Sequence, residues 1–209
     1  ISMSTGKYII FVDSDDRVES NFIAEYYSRI HSDNLDICFF SVNKINSSGD
    51  VIGKLDYKYL ADGNSDGIKA LEMFEMIGRL RLYGYPFMYI SKRELWDEKA
   101  FPDNIDYQED LEALARMISR NPWIVGKAFD TSFYNYVQRE NSALHTMTNI
   151  DTLQFLVVAK KVKEYLQNAG GGKKREKIIN GIKLSSALAV ANSSLLANDK
   201  ENYEFGRRV

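Results

Sequence analysis

One cysteine, two histidines and three prolines among 209 residues put several protein classes out of reach. A lone Cys38 cannot form an intramolecular disulfide. One cysteine with two separated histidines, His31 and His145, cannot build a zinc site of the Cys/His type. Cys38 lies inside Ile37-Cys38-Phe39-Phe40 and reads as a small buried hydrophobe rather than a reactive thiol. The fitting compartment is the cytoplasm. Long apolar runs are missing too: Tyr8 to Val12 and Phe155 to Ala159 are five residues each, against the roughly 20 needed to cross a bilayer. Nor is there an excess of one charge. The 27 Lys+Arg and 29 Asp+Glu leave a net charge of -2, so nucleic acid is not an expected partner. The 44% hydrophobic content excludes a disordered chain. The length suits one domain, or one domain with a helical appendage. The chain opens on Ile1 and enters an apolar segment almost at once, which suggests a fragment or a processed product.

What is present is aromatic and alternates between strand and helix patterns. Tyr8-Ile9-Ile10-Phe11-Val12 reads as a strand buried on both faces, ending abruptly in Asp13-Ser14-Asp15-Asp16. Glu19 to His31 follows as a helix with an apolar stripe at Phe22, Ile23, Tyr26, Tyr27 and Ile30. Leu35 to Val42 and Val51 to Leu60 read as strands around the turn cluster 46–50. Ile68 to Gly78 looks helical. The aromatic segment 83–90 leads into a strand or short helix, with a helical turn over 91–96. Asp110 to Arg120 is a helix through Leu111, Leu114, Ala115 and Ile118. Trp123 to Val125 and Ser132 to Val137 read as strands. Strand, acidic turn and helix in this order predict an α/β fold. Beyond residue 148 the texture changes. Ile150 to Gln167 and Lys177 to Leu196 predict two amphipathic helices around a solvated loop at Gly170 to Arg175. Residues 171–209 carry eight Lys/Arg against four Asp/Glu.

The acidic turn is the most informative segment. In extended backbone, residues two apart project to the same side, so Asp13 and Asp15 would face one site. Carboxylates with open coordination positions suit Mg²⁺ or Mn²⁺ and leave places for phosphate oxygens. The C-terminal end of a strand is also where α/β sheets place ligands. The plain alternative is that Asp15 or Asp16 caps the following helix. A cap needs one carboxylate, however, and the turn offers three in four positions. Packing like charges together costs stability unless a cation binds.

Two chemistries use an acidic turn after a hydrophobic strand. One is the haloacid-dehalogenase type of phosphatase, with Asp13 as nucleophile. It needs a later Lys and a further acidic pair, and no convincing pair follows. The other is glycosyl transfer from a nucleotide sugar. The segment Gly6-Lys7-Tyr8-Ile9-Ile10-Phe11-Val12-Asp13-Ser14-Asp15-Asp16 resembles the DxD region of family 2 glycosyltransferases, the inverting bacterial enzymes of GT-A fold. Phe101-Pro102-Asp103-Asn104-Ile105-Asp106-Tyr107-Gln108-Glu109-Asp110-Leu111 resembles that family's Glu-Asp segment. Phe133-Tyr134-Asn135-Tyr136-Val137-Gln138-Arg139-Glu140-Asn141-Ser142 resembles its Tyr-x-Tyr-x-x-Arg-x-x-Ser stretch. The three blocks stand in the family's order within residues 4–148.

The resemblance implies a GT-A-like α/β domain over residues 1–148, truncated at its N-terminus, followed by a helical extension over 149–209. It implies that Asp15 and Asp13 bind a divalent cation and the nucleotide diphosphate, and that Asp110 is the general base. Arg139 and Ser142 would contact the diphosphate, with His145 close enough to approach the same site. The implied partners are a nucleotide-sugar donor, chiefly a UDP-sugar, and a saccharide or lipid-linked saccharide acceptor. Such enzymes work in the cytoplasm at the inner membrane face, and the basic segment near Gly170 could touch anionic lipid there. A DxD strand without its usual neighbours invites homodimerisation and leaves open a non-catalytic interaction domain. Trp96, Tyr83, Tyr85 and Tyr89 are candidates for an acceptor cleft, or for the core.

Overall fold

The computed structural model describes residues 1–58, 67–79, 81–139, 148, 151–167 and 172–196. The chain divides into two compact units, each described by itself below. The first comprises Ile1–Ala70, Tyr85–Ala100 and Trp123–Ser142; the second comprises Leu71–Gly84, Phe101–Pro122 and Ala143–Val209.

The first unit holds two mixed sheets. Strands β1 (Tyr8–Ile10), β3 (Ile37–Phe40), β6 (Ile68–Lys69), β7 (Tyr89–Lys92) and β8 (Val125–Phe129) form the larger sheet, in the order β1-β7-β3-β8-β6. Within it β3 and β8 are parallel and the other pairs antiparallel. Strands β2 (Arg17–Val18), β4 (Val42–Ile45), β5 (Val51–Leu55) and β9 (Tyr134–Val137) form the second, in the order β2-β9-β4-β5. There β4 and β9 run parallel. The central strand β3 is buried at all four positions, as a continuous apolar run in the middle of a sheet should be, and Cys38 is a buried free thiol within it.

Helix α1 (Phe22–Ser32) lies in the same unit and buries Phe22, Tyr26 and Ile30. Tyr26 stacks on Phe40 of β3 with centroids 3.6 Å apart. The buried stripe is narrower than its periodicity suggests, because Ile23 and Tyr27 stay exposed. Strand β1 departs from expectation as well. It sits at the edge of the larger sheet, with Ile9 buried, Tyr8 and Ile10 half-buried, and Val12 exposed. The strand pattern ends at Ile10 because the chain leaves β7 there to form the acidic turn.

Polar side chains stitch the sheets. The Asp36 carboxylate takes the Lys92 ammonium at 2.6 Å and the Val125 N–H at 2.9 Å, tying β7 and β8 to the start of β3. Asp130, just after β8, accepts from the buried Ser41 hydroxyl at 2.8 Å and from Lys54 of β5 at 2.6 Å. The Ser41 oxygen in turn accepts the Tyr57 N–H at 2.9 Å.

The second unit is helical: α2 (Ala70–Gly78), α3 (Glu109–Arg120), α4 (Gln154–Gln167) and α5 (Gly172–Leu196), the first residue of α2 belonging to the other unit. Helices α4 and α5 pack against each other, with Val158, Ala159, Val162 and Leu166 of α4 and Ile178, Ile182 and Val190 of α5 buried. Helices α2 and α5 cross closely, since a Cβ on Gly181 would sit 2.9 Å from the Gly78 carbonyl oxygen. The expected loop at Gly170 to Arg175 is corrected in part: from Gly172 onward it is the first turn of α5. Lys174 there is paired with Glu75 of α2 at 2.8 Å, so helix propagation and an ion pair take residues that composition alone marks as solvated. None of the described helices is long and apolar enough to cross a membrane. The mixed α/β architecture expected from the sequence is the one observed.

Partial burial pushes the Asp130 carboxyl up, but the hydrogen bonds from Lys54 and Ser41 prevail and hold it below the usual range. A carboxyl depressed in the folded state stabilises above its unfolded pKa, and the gain is lost as pH falls through the folded value. The stability of the wild type in urea should therefore exceed that of Asp130→Asn by about 1 kcal/mol at pH 6, and the gap should begin to close as pH falls below about 4. A gap undiminished at pH 3 would contradict this account.

Candidate functional site

Asp13-Ser14-Asp15-Asp16 is a tight turn, closed by the Asp16 N–H donating to the Asp13 carbonyl at 3.2 Å. The carboxylates are therefore not gathered by strand alternation, as extended backbone would have it. The turn itself brings them within electrostatic reach. Burial in the crowded turn, then Asp16, then Asp15, raise the Asp13 carboxyl above its ordinary value, although its side chain faces solvent.

Asp16 is not a helix cap. The residue preceding α1 is Asn21, and no side chain caps that end. Asp16 instead reaches across to β9, where its two oxygens accept the Tyr134 hydroxyl at 2.6 Å and the Val137 N–H at 2.8 Å. The same Tyr134 oxygen accepts the Asp13 N–H at 3.0 Å. One phenol thus holds both ends of the acidic turn. Tyr134 is fully buried, with Phe87 stacked on its ring at 5.0 Å. Burial and then the Asp16 carboxylate push its hydroxyl pKa up, so it stays a proton donor. Further along, Glu19 accepts from the Asn135 amide at 2.8 Å, and β2 pairs Arg17 with Asn135.

Strand β9 also delivers Arg139 to the turn. Its guanidinium lies 3.6 Å from an Asp15 oxygen, with both side chains substantially exposed. An exposed pair of this kind is worth little as stability. As geometry it places a planar, always-charged donor fork beside the Asp15 carboxylate. Asp13, Asp15 and Arg139 are brought together, whereas Ser142 and His145 lie outside the described residues.

Asp110 belongs to the second unit, in the first turn of α3, where the helix macrodipole favours a carboxylate. Its Oδ1 accepts the Leu111 N–H at 2.6 Å. The residue before the helix, Gln108, is left-handed at φ 62. Burial first, then Asp106, raise the neighbouring Glu109 carboxyl. Of the aromatic candidates, Trp96 and Tyr89 are core residues: both are buried, and the indole N–H donates to Ser91 at 2.8 Å.

Among the described residues no group of three or more His, Cys, Asp or Glu is arranged to hold a metal ion. An all-protein cage is therefore not what the turn offers. Two carboxylates beside open solvent do fit Mg²⁺ or Mn²⁺, which commonly take one or two carboxylates and complete the shell with phosphate oxygens and water. Asp16 has both oxygens engaged and is no ligand candidate. Tyr134 and the role of Asp16 escape sequence reasoning, since nothing local marks a partner 118 positions away.

Residues 1–90 match the family model for glycosyl transferase family 2. The match takes in 90 of the 209 residues, less than half of the chain. The family 2 stretch includes the acidic turn and ends within β7. No curated protein matches the chain. Among solved structures, the fold is similar to that of S. aureus TarS 1-349 in complex with UDP-GlcNAc, at a TM-score of 0.54 and 14% identity, covering 99% of this chain and 68% of that one. It is also similar to S. aureus TarS 1-349 in complex with UDP, at a TM-score of 0.50 and 14% identity, covering 99% and 67%. At such identity the likeness speaks for the fold.

Replacing Tyr134 by Phe strips a donor from Asp16 and an acceptor from the Asp13 N–H, and should cost about 1–3 kcal/mol by urea denaturation. Tyr136→Phe keeps the ring stacked on Phe87 and should stay within about 0.5 kcal/mol of wild type. Equal effects from both substitutions would count against the staple.

Proposed function

We propose that this chain is the glycosyltransferase that its family 2 segment suggests, moving a sugar from a UDP-sugar to a glycan or glycoconjugate acceptor with inversion. The observation that carries the reading is the acidic turn: Asp13 and Asp15 on one hydrogen-bonded turn, with Arg139 3.6 Å from Asp15. The TarS structures with UDP-GlcNAc and UDP support uridine as the donor base.

Asp15, with Asp13 beside it, would hold Mn²⁺ or Mg²⁺ at the donor diphosphate. When bound, such an ion neutralises the charge that develops on the leaving nucleotide. Arg139 would turn its fork from Asp15 to a diphosphate oxygen, a bidentate partner it suits well. Ser142 would add a hydrogen bond to the same group. Asp110 would accept the proton of the acceptor hydroxyl as that oxygen attacks the anomeric carbon. The new C–O bond forms as the bond from that carbon to the diphosphate oxygen breaks. UDP departs with the bonding pair, and a single displacement inverts the centre.

The reading places the enzyme in the cytoplasm with its nucleotide sugar. It would meet a lipid-linked acceptor at the inner membrane face through the basic start of α5, Lys173 to Arg175. The division into a catalytic part up to residue 148 and a helical extension beyond belongs to the same proposal. The family 2 match sets transfer above the phosphatase alternative, which would use Asp13 as a nucleophile.

Turnover of UDP-N-acetylglucosamine with Mn²⁺, followed as UDP release, tests the assignment. Asp110→Asn should lower kcat by 100-fold or more while leaving the donor KM within about threefold, since general base catalysis contributes about 10²–10⁴. Asp15→Asn should raise the donor KM and the Mn²⁺ requirement together. Full turnover in both variants would overturn the proposal.

A further inference from the structure

The segment that carries Asp110 is gripped from several sides, and the side chains that grip it come chiefly from α4. Gln154, the first residue of α4, turns its carboxamide away from its own helix. Its Oε1 accepts the Asp106 N–H at 2.7 Å and the Tyr107 N–H at 3.2 Å. Two backbone donors that would otherwise seek water are fixed on one oxygen immediately before Gln108.

Gln108 itself adopts φ 62, a left-handed conformation that a non-glycine residue holds at a cost of roughly 1–2 kcal/mol. Such strain persists only where the surroundings over-determine it, and it concentrates at functional sites. Its carbonyl accepts the Glu112 N–H at 3.0 Å, which starts α3 and sets the direction of its first turn.

One turn into α3, the Glu112 carboxylate is 1% exposed. It is hydrogen-bonded by the Tyr165 hydroxyl of α4, and it lies 3.7 Å from Lys161 of α4 and 3.5 Å from Arg116. A buried carboxylate is tolerated only with such partners. From another direction Gly84 presses on the same turn: a Cβ there would stand 2.5 Å from both the N and the Cα of Leu111. Residues 106–112 are thereby held before, at and after Asp110.

We infer that α4 is the brace that aims Asp110, with Gln154 as its positioning residue; this rests on reading Asp110 as the general base. The helical extension then has a role in the transfer step itself. Gln154 touches no reacting atom. It fixes the backbone from which the base is presented, and an ångström of misplacement at a base can cost on the order of 100-fold in rate.

The chemistry of the contact supplies its own control. Both partners are N–H groups, so only an acceptor oxygen serves at this position. Glu reaches as far as Gln and keeps that oxygen, whereas Met fills the same space without one. UDP release from UDP-N-acetylglucosamine with Mn²⁺, and amide hydrogen exchange over residues 106–111, should be measured for Gln154→Met and Gln154→Glu. The expected result is a kcat lowered about tenfold or more in Gln154→Met, with donor KM unchanged and exchange across the segment faster. Gln154→Glu should return both quantities to within about twofold of wild type.

Wild-type kcat and exchange in Gln154→Met would overturn the inference, as would a loss that Gln154→Glu fails to rescue. Asp110→Asn separates the two levels. If that variant turns over normally, the base assignment fails. If it is inactive while Gln154→Met is not, the brace fails and the assignment stands.

Discussion

A single buried phenol decides the shape of the acidic turn. Tyr134 donates to one Asp16 oxygen and accepts the Asp13 N–H, so the strand β9 and the turn are one object. Three carboxylates within four residues would otherwise repel and splay. With Asp16 committed to Tyr134 and to the Val137 N–H, the other two are left facing solvent on a fixed backbone. The same strand then carries Arg139 to Asp15. Because the staple is made of hydrogen bonds within the chain, the backbone of the turn is set without any ligand.

The second unit solves a related problem with different means. The first turn of α3 carries Glu109, Asp110 and Glu112, and an isolated helix end frays. Here a left-handed Gln108 sets the entry and a close approach of Gly84 backs the first turn. Glu112, buried among Tyr165, Lys161 and Arg116, anchors the next turn. The two units differ in composition and in elements, yet each uses long-range polar contacts to immobilise a short acidic segment.

How much of this the sequence discloses depends on whether the cause is local. Helix α3 and the hydrophobic strand β3 are legible because their apolar spacing is a local pattern. So is the existence of an acidic turn after a strand. The geometry of that turn was not legible, because alternation describes extended backbone and the segment turns instead. The role of Asp16 is not legible for a similar reason: Asp before a helix can look like a cap, while its actual partners stand on β9, 118 and 121 positions away. Gln154 gave no signal whatever, since a Gln at the start of a helix is unremarkable until its partners at 106 and 107 are seen. Of the residues that the resemblance assigns to the site, the first unit places Arg139 3.6 Å from Asp15, two positions after Asp13.

The account depends most on the acidic turn binding a nucleotide diphosphate with a divalent ion. Calorimetric titration of UDP into the chain, with and without Mn²⁺, measures that directly. The account predicts Mn²⁺-dependent binding that weakens at least tenfold in Asp15→Ala and survives in Asp110→Asn. Binding of equal strength with and without Mn²⁺, or unchanged in Asp15→Ala, would contradict it.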